Sequence, residues 1–154
     1  MLSVFLIRMI ENHAEDLTRE VLNDLATNPR TPHLHAVSRE ELHRRAYDLF
    51  KNLGEWLSDR DDAHIENPYA RLGRDRHIEG VTLSEVIYAV ILIKEHLRNY
   101  VRRAGAASTA LELYQEVELN LMIGHFFDRA LYHTVKGYEA ARAATSPTVA
   151  RHAL

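Results

Sequence analysis

Apolar residues fall on helical stripes through most of the chain. Leu6, Ile10, Leu17, Val21 and Leu25 share one face of the first segment, while Glu11, Glu15, Asp16, Arg19 and Glu20 sit mostly off it. That period predicts a helix over residues 3–26. Asn28-Pro-Arg-Thr-Pro32 ends it, because each proline lacks a donor and restricts the residue before it. A second helix opens at Ser38-Arg-Glu-Glu41, a capping box in which side chains satisfy free N–H groups of the first turn. Its apolar face, from Leu42 through Phe50 and Trp56 to Leu57, runs to about residue 59, and the polar stretch from Ser58 to Asp62 closes it. A shorter helix is predicted over residues 68–77, with Pro68 in its first turn and Gly80 past its end.

Thr82-Leu-Ser-Glu85 is a second capping box. The apolar run Val86 to Ile93 that follows has strand-like composition, but spacings of three and four continue through Val86, Val90, Ile93, Leu97, Tyr100 and Ala104. A strand has no reason to keep that period, so a central helix is expected. Gly105 breaks it, and Thr109-Ala-Leu-Glu112 resembles a third cap. The last helix is predicted to reach about residue 144. One stripe runs Tyr114, Val117, Leu121, Gly124, Asp128, Leu131, Val135 and Tyr138; a second set, Leu119, Met122, Ile123, Phe126, Phe127 and Ala130, lies on other faces. A helix apolar on several sides needs more than one packing partner. Either it threads the fold or one face meets another subunit. The expectation is therefore all-α: one domain of about five helices over residues 1–142, with residues 143–154 a linker or frayed tail.

Composition narrows the function. The 154 residues are 46% hydrophobic and 27% charged, an ordinary globular balance. A net charge of −3 with interleaved signs argues against nucleic acid, which needs a concentrated basic face. The chain has no cysteine, which removes disulfides, thiolate nucleophiles and cysteine-based zinc sites and suits a cytoplasmic setting. Its longest apolar run, Val86 to Ile93, is far short of the roughly 20 residues of a membrane span.

Catalytic motifs are missing. There is no Gly-x-Gly, no phosphate-cradling loop and no Gly-x-Ser-x-Gly elbow. Ten histidines invite a metal reading. Glu40-x-x-His43 is one half of a di-iron pattern whose second half is absent, and it sits in a helix first turn where glutamate is favoured anyway. His33-x-His35 follows a proline and reads as a surface loop. Haem requires one axial histidine in an apolar pocket. His13, His96, His125 and His133 lie on or beside apolar stripes; His125, next to Phe126 and Phe127, is the leading haem candidate, and His96 is the comparison position. Either could instead titrate near neutral pH as a switch. Arg71, Arg74, Arg76 and His77 form a basic cluster able to hold an anion, diluted by Asp75 and Glu79.

Three stretches carry a family resemblance: Phe50-Lys-Asn-Leu-Gly-Glu-Trp-Leu57, Tyr69-Ala-Arg-Leu-Gly-Arg-Asp-Arg76 and Glu79-Gly-Val-Thr-Leu-Ser-Glu-Val86. Their order, an aromatic helix end, a Gly-Arg turn and a Gly-Val-x-Leu-x-Glu entry to an apolar helix, resembles the amino-terminal domain of the RsbR-type co-antagonists, including the RsbRD group. The same domain precedes some bacterial sensor kinases and regulators. With the last helix, the likeness covers about residues 5–142. It implies a globin-like fold that usually lacks haem, dimerises, and relays signals to a carboxy-terminal output domain. This chain ends at Leu154, which implies a stand-alone member or a piece of a longer regulator.

The expected function is a non-catalytic sensory and relay module, the input part of a stress or two-component regulator. Its expected partners are a second copy, through Leu121, Phe127, Leu131 and Tyr138, and other signalling proteins or a linked output domain, with neither nucleic acid nor membrane. No cofactor is expected. The alternatives are a haem- or small-ligand-binding sensor and, behind it, a helical metal-dependent enzyme.

Overall fold

Local capping chemistry places the helix starts where the sequence puts them. In the computed structural model, which describes residues 2–58, 62–105 and 107–145, Ser38, Thr82 and Thr109 each accept a backbone N–H three residues on, from Glu41, Glu85 and Glu112. They open α3 (Arg39–Lys51), α6 (Leu83–Ala104) and α7 (Ala110–Thr145). The remaining α-helices are α1 (Leu2–Asn12), α2 (Ala14–Thr27), α4 (Leu53–Ser58) and α5 (Asp62–Ile78), with a single 3-10 turn at His33–Ala36. Among the described residues the fold is all-helical and forms one domain.

Seven α-helices stand where about five were expected, because two predicted helices are each split by one residue. At His13 (φ −108°, ψ 22°) the chain turns out of helical geometry. Its N–H still reaches the Met9 carbonyl, at 3.0 Å. Ile10, Ala14 and Leu17 remain buried on either side, so the stripe stays in phase across the break and hides it. At Asn52 (φ −114°, ψ 27°) the side-chain amide donates to the Asp48 carbonyl and carboxylate, at 3.2 and 3.0 Å. Asparagine here offers the backbone a local alternative to the helix.

The predicted helix over 68–77 starts earlier, at Asp62, with Pro68 inside it. Interior proline removes one helical hydrogen bond and costs about 3 kcal/mol. Burial opposes that: Ile65, in the turn before the proline, is fully buried. The helix ends as expected in a Schellman cap. Gly80 takes φ +80°, Val81 N–H donates to the Arg76 carbonyl and Gly80 N–H to that of His77, both at 3.0 Å.

Helix α7 is 36 residues long, roughly 54 Å at 1.5 Å per residue. Its second half runs parallel to α5, and its inner side meets α1, α4 and α6. The core seats Leu6, Leu17, Phe50, Leu97, Leu119 and Ile123 between these layers. Of the expected tail, residues 143–145 extend α7 and residues 146–154 lie outside the described set, as do residues 59–61 of the predicted polar closure. No helix among the described residues is long and apolar enough to cross a membrane.

Candidate functional site

The first half of α7 has a covered side and an uncovered one. Leu119, Ile123, Phe126, Phe127 and Ala130 are the buried side. Leu111 and Tyr114 (each 66% exposed), Val117 (49%) and Leu121 (69%) follow one another at helical spacing along the outside, with Leu113 beside them. Further along the same stripe Asp128 is exposed, Leu131 and Val135 are half-buried, and Tyr138 is buried where α5 packs on α7. This divides the four residues expected at an interface. Leu121 points outward, Leu131 is half-buried against the core, and Phe127 and Tyr138 are buried at 4% and 7% exposure. Phe127 and Tyr138 are thus packed within the chain: Tyr138 donates its hydroxyl to the Val81 carbonyl at 2.7 Å and meets the His77 ring edge-on, which ties α7 to the α5–α6 turn. Leu111, Tyr114 and Val117 share the outer face with Leu121.

The histidines are dispersed. His125 is exposed, and His96 packs against Asp24 at 2.8 Å on the α2–α6 surface. His13 bonds the Met9 carbonyl. His43 pairs with Glu15 at 2.9 Å and stacks on Tyr47, and Glu40 is exposed. In the 3-10 turn, the His33 ring contacts Glu85, while His35 is exposed. Glu85 is buried and also accepts the His33 and Leu34 N–H groups and the Thr82 hydroxyl. Burial pushes its carboxyl up, but the donors from His33, Thr82 and Leu34 outweigh that and hold it below the usual value.

Asp62, Glu66 and His133 lie close enough together to offer three atoms to a cation. Asp62 already binds Arg129 at 3.0 Å and His133 at 2.9 Å. The Arg129 hydrogen bond leads the effects that depress its carboxyl. A divalent cation would have to displace that arginine, so the group reads as an ion-pair cluster joining α5 to α7.

A cavity of about 410 Å³ lies between α2, α3, α5 and α6, with Phe127 of α7 also in its lining. Its floor is aliphatic (Leu25, Leu34, Leu49, Val90), and Trp56 and Tyr69 form an aromatic wall. These two rings meet edge-on and both lean on Phe126. The lining includes no histidine, so neither His96 nor His125 reaches it.

Arginines rim the cavity. The expected cluster on α5 divides by role. Arg76 is buried between Glu41 and Glu79, each at 2.9 Å; Arg74 reaches Asp75 at 3.7 Å on the outside; Arg71 lines the cavity. Arg45, which sequence reasoning did not single out, bridges Glu41 and Asp75 and locks α3 to α5. Burial raises the Glu41 carboxyl, and the hydrogen bonds and charges of Arg45 and Arg76 together bring it below its usual range. Only the i,i+4 spacing of Glu41 and Arg45 signalled this network in advance.

The family model described as the RsbT co-antagonist protein rsbRD N-terminal domain matches residues 11–151. No curated protein matches, and no solved structure matches.

Proposed function

Because the chain belongs to the family of RsbRD N-terminal domains, we propose that it is a non-catalytic sensing and relay module of stress signalling that works by pairing with a second copy through the first half of α7. The observation that carries this is the outward row Leu111, Tyr114, Val117 and Leu121. Four large apolar side chains in sequence on one helix face form a patch of the kind that marks association sites. In a twofold pair each copy presents the same patch, so one row can cover another. The absence of a catalytic motif supports a relay role, as does α7 itself: one rod joins the proposed interface to the α5–α7 layer, so a change in pairing can reach the other end of the domain. A globin-like arrangement, a cytoplasmic location and a linked or separate output partner belong to the same proposal, supported by the family.

The proposal does not invoke haem; His125 is exposed and His96 bonds Asp24. A small-ligand sensor is the second reading, favoured by the cavity.

The chain has no cysteine, so a nitroxide on Val117→Cys reports one position. The expected result is a narrow, short dipolar distance between copies, absent when the label is on Ile78→Cys. A Val117 label with no dipolar signal contradicts the pairing.

A further inference from the structure

We infer that the cavity between α2, α3, α5 and α6 binds a small aromatic carboxylate, with its ring against Trp56 and Tyr69 and its anionic end toward Arg71. The inference rests on the sensory reading for its purpose but not for its existence, because no residue of the exposed α7 row lines the cavity.

Size comes first. At 410 Å³ the cavity falls within the range of roughly 300–1,000 Å³ typical of ligand sites. At about 30 Å³ per water-sized unit it accommodates roughly a dozen non-hydrogen atoms. Shape follows from the wall. Trp56 and Tyr69 are already held by Phe126 in tilted and edge-on contacts, so they present fixed surfaces against which a planar ring stacks without ordering new side chains. The floor beneath them is aliphatic and buried.

Charge decides the other end. Four arginines line the cavity, Arg44, Arg45, Arg71 and Arg76, against two carboxylates, Asp48 and Asp75. Arg45 and Arg76 are consumed by Glu41, Asp75 and Glu79, and Arg44 reaches Glu41 at 3.7 Å. Arg71 has no ion-pair partner among the described residues. The Tyr69 hydroxyl likewise has no hydrogen-bond partner among them. Burial keeps that hydroxyl protonated, with Asp48 adding to the effect and Arg45 opposing it. A guanidinium and a phenol O–H, both donors, thus stand uncommitted at the edge of an apolar chamber. A carboxylate supplies acceptors for both. Asp48 is the opposing feature: it is exposed, accepts from Asn52, and would favour an amine.

Calorimetry of the full chain with naphthoate, naphthalenemethanol and naphthylmethylamine separates these cases, since the three share one ring body and differ in head group. The expected result is one naphthoate per chain, bound about tenfold or more tightly than the alcohol, with the amine weakest. Arg71→Gln is expected to lower naphthoate affinity about tenfold and leave the alcohol unchanged. Ala89→Phe, which fills the cavity, should abolish binding of all three while circular dichroism stays helical. If Ala89→Phe does not fold, Arg71→Gln decides, because Arg71 is exposed. No naphthoate binding, equal affinity for all three, tightest binding of the amine, or indifference to Arg71→Gln each overturns the inference. Leu121→Asp should retain naphthoate binding whether or not the chain pairs, so failure here and failure of the pairing are told apart.

Discussion

Gly73 of α5 and Gly137 of α7 each face the other helix's backbone at a distance that leaves no room for a side chain. A Cβ built on Gly73 would lie 1.9 Å from the Thr134 carbonyl oxygen, and one on Gly137 would lie 2.0 Å from that of Ala70. The two helices therefore cross backbone against backbone. Thr134, fully buried at this crossing, turns its hydroxyl back to the Ala130 carbonyl at 2.7 Å, so no polar group is left unpaired. The Gly-Arg pair read from sequence as a turn is mid-helix, and Gly73 is there for closeness and not for bending.

Gly73→Ala and Gly137→Ala should each lower stability by about 1–3 kcal/mol or more, since relief requires the helices to move apart. Gly124 is the control on the same rod. Nothing lies within 4 Å of a Cβ there, so Gly124→Ala should raise stability by about 0.5–1 kcal/mol through helix propensity alone. Urea unfolding measures all three. Neutral substitutions at Gly73 and Gly137 would mean that α5 and α7 are not this close.

Arg76 is buried with Glu41 and Glu79 around it. Truncating it strands carboxylates in a partly desolvated site, and breaking a buried pair this way costs about 3 kcal/mol or more. Arg76→Ala is expected to lose that much in urea unfolding, whereas Arg74→Ala, on the exposed side of the same helix, should change little. Equal effects at the two positions would show that the network does not tie α3 to α5.

Glu85 gives the fold an acid limit. Its carboxyl is held below the usual 4.5 by donors from His33, Thr82 and Leu34. A group depressed in the folded state contributes stability that is full above its unfolded value and drains as pH falls through its folded one. Unfolding free energy should therefore drop as pH is lowered below about 4.5, and Glu85→Gln should flatten part of that drop while being less stable at neutral pH. An unchanged pH slope in the variant would remove Glu85 as a source of the acid sensitivity.

The helix starts were legible because caps are local: Ser38, Thr82 and Thr109 meet their partners within one turn. The breaks at His13 and Asn52 were not, since neither shifts the phase of the apolar stripe. Pro68 misled for the opposite reason, as the packing of Ile65 against the core outweighs the local rule. On α7 the apolar pattern identified a helix with more than one apolar face but could not say which face lay inside. That depends on where α5 settles, and α5 covers Tyr138 while leaving Leu121 bare. The cavity gathers side chains from separate helices, so apart from the basic run at Arg71 no single stretch of sequence displayed it.

The claim on which the functional account turns is that the outer row of α7 is covered by a second copy. Light-scattering mass in solution, over a range of concentrations, tests it most directly. The intact chain should weigh twice 17.7 kDa, Leu121→Asp should fall to the single-chain mass with its helical content unchanged, and Ile78→Asp, equally exposed but far from the row, should stay paired. An intact chain that keeps the single-chain mass at every concentration, or a Leu121→Asp variant that still pairs, would contradict the account.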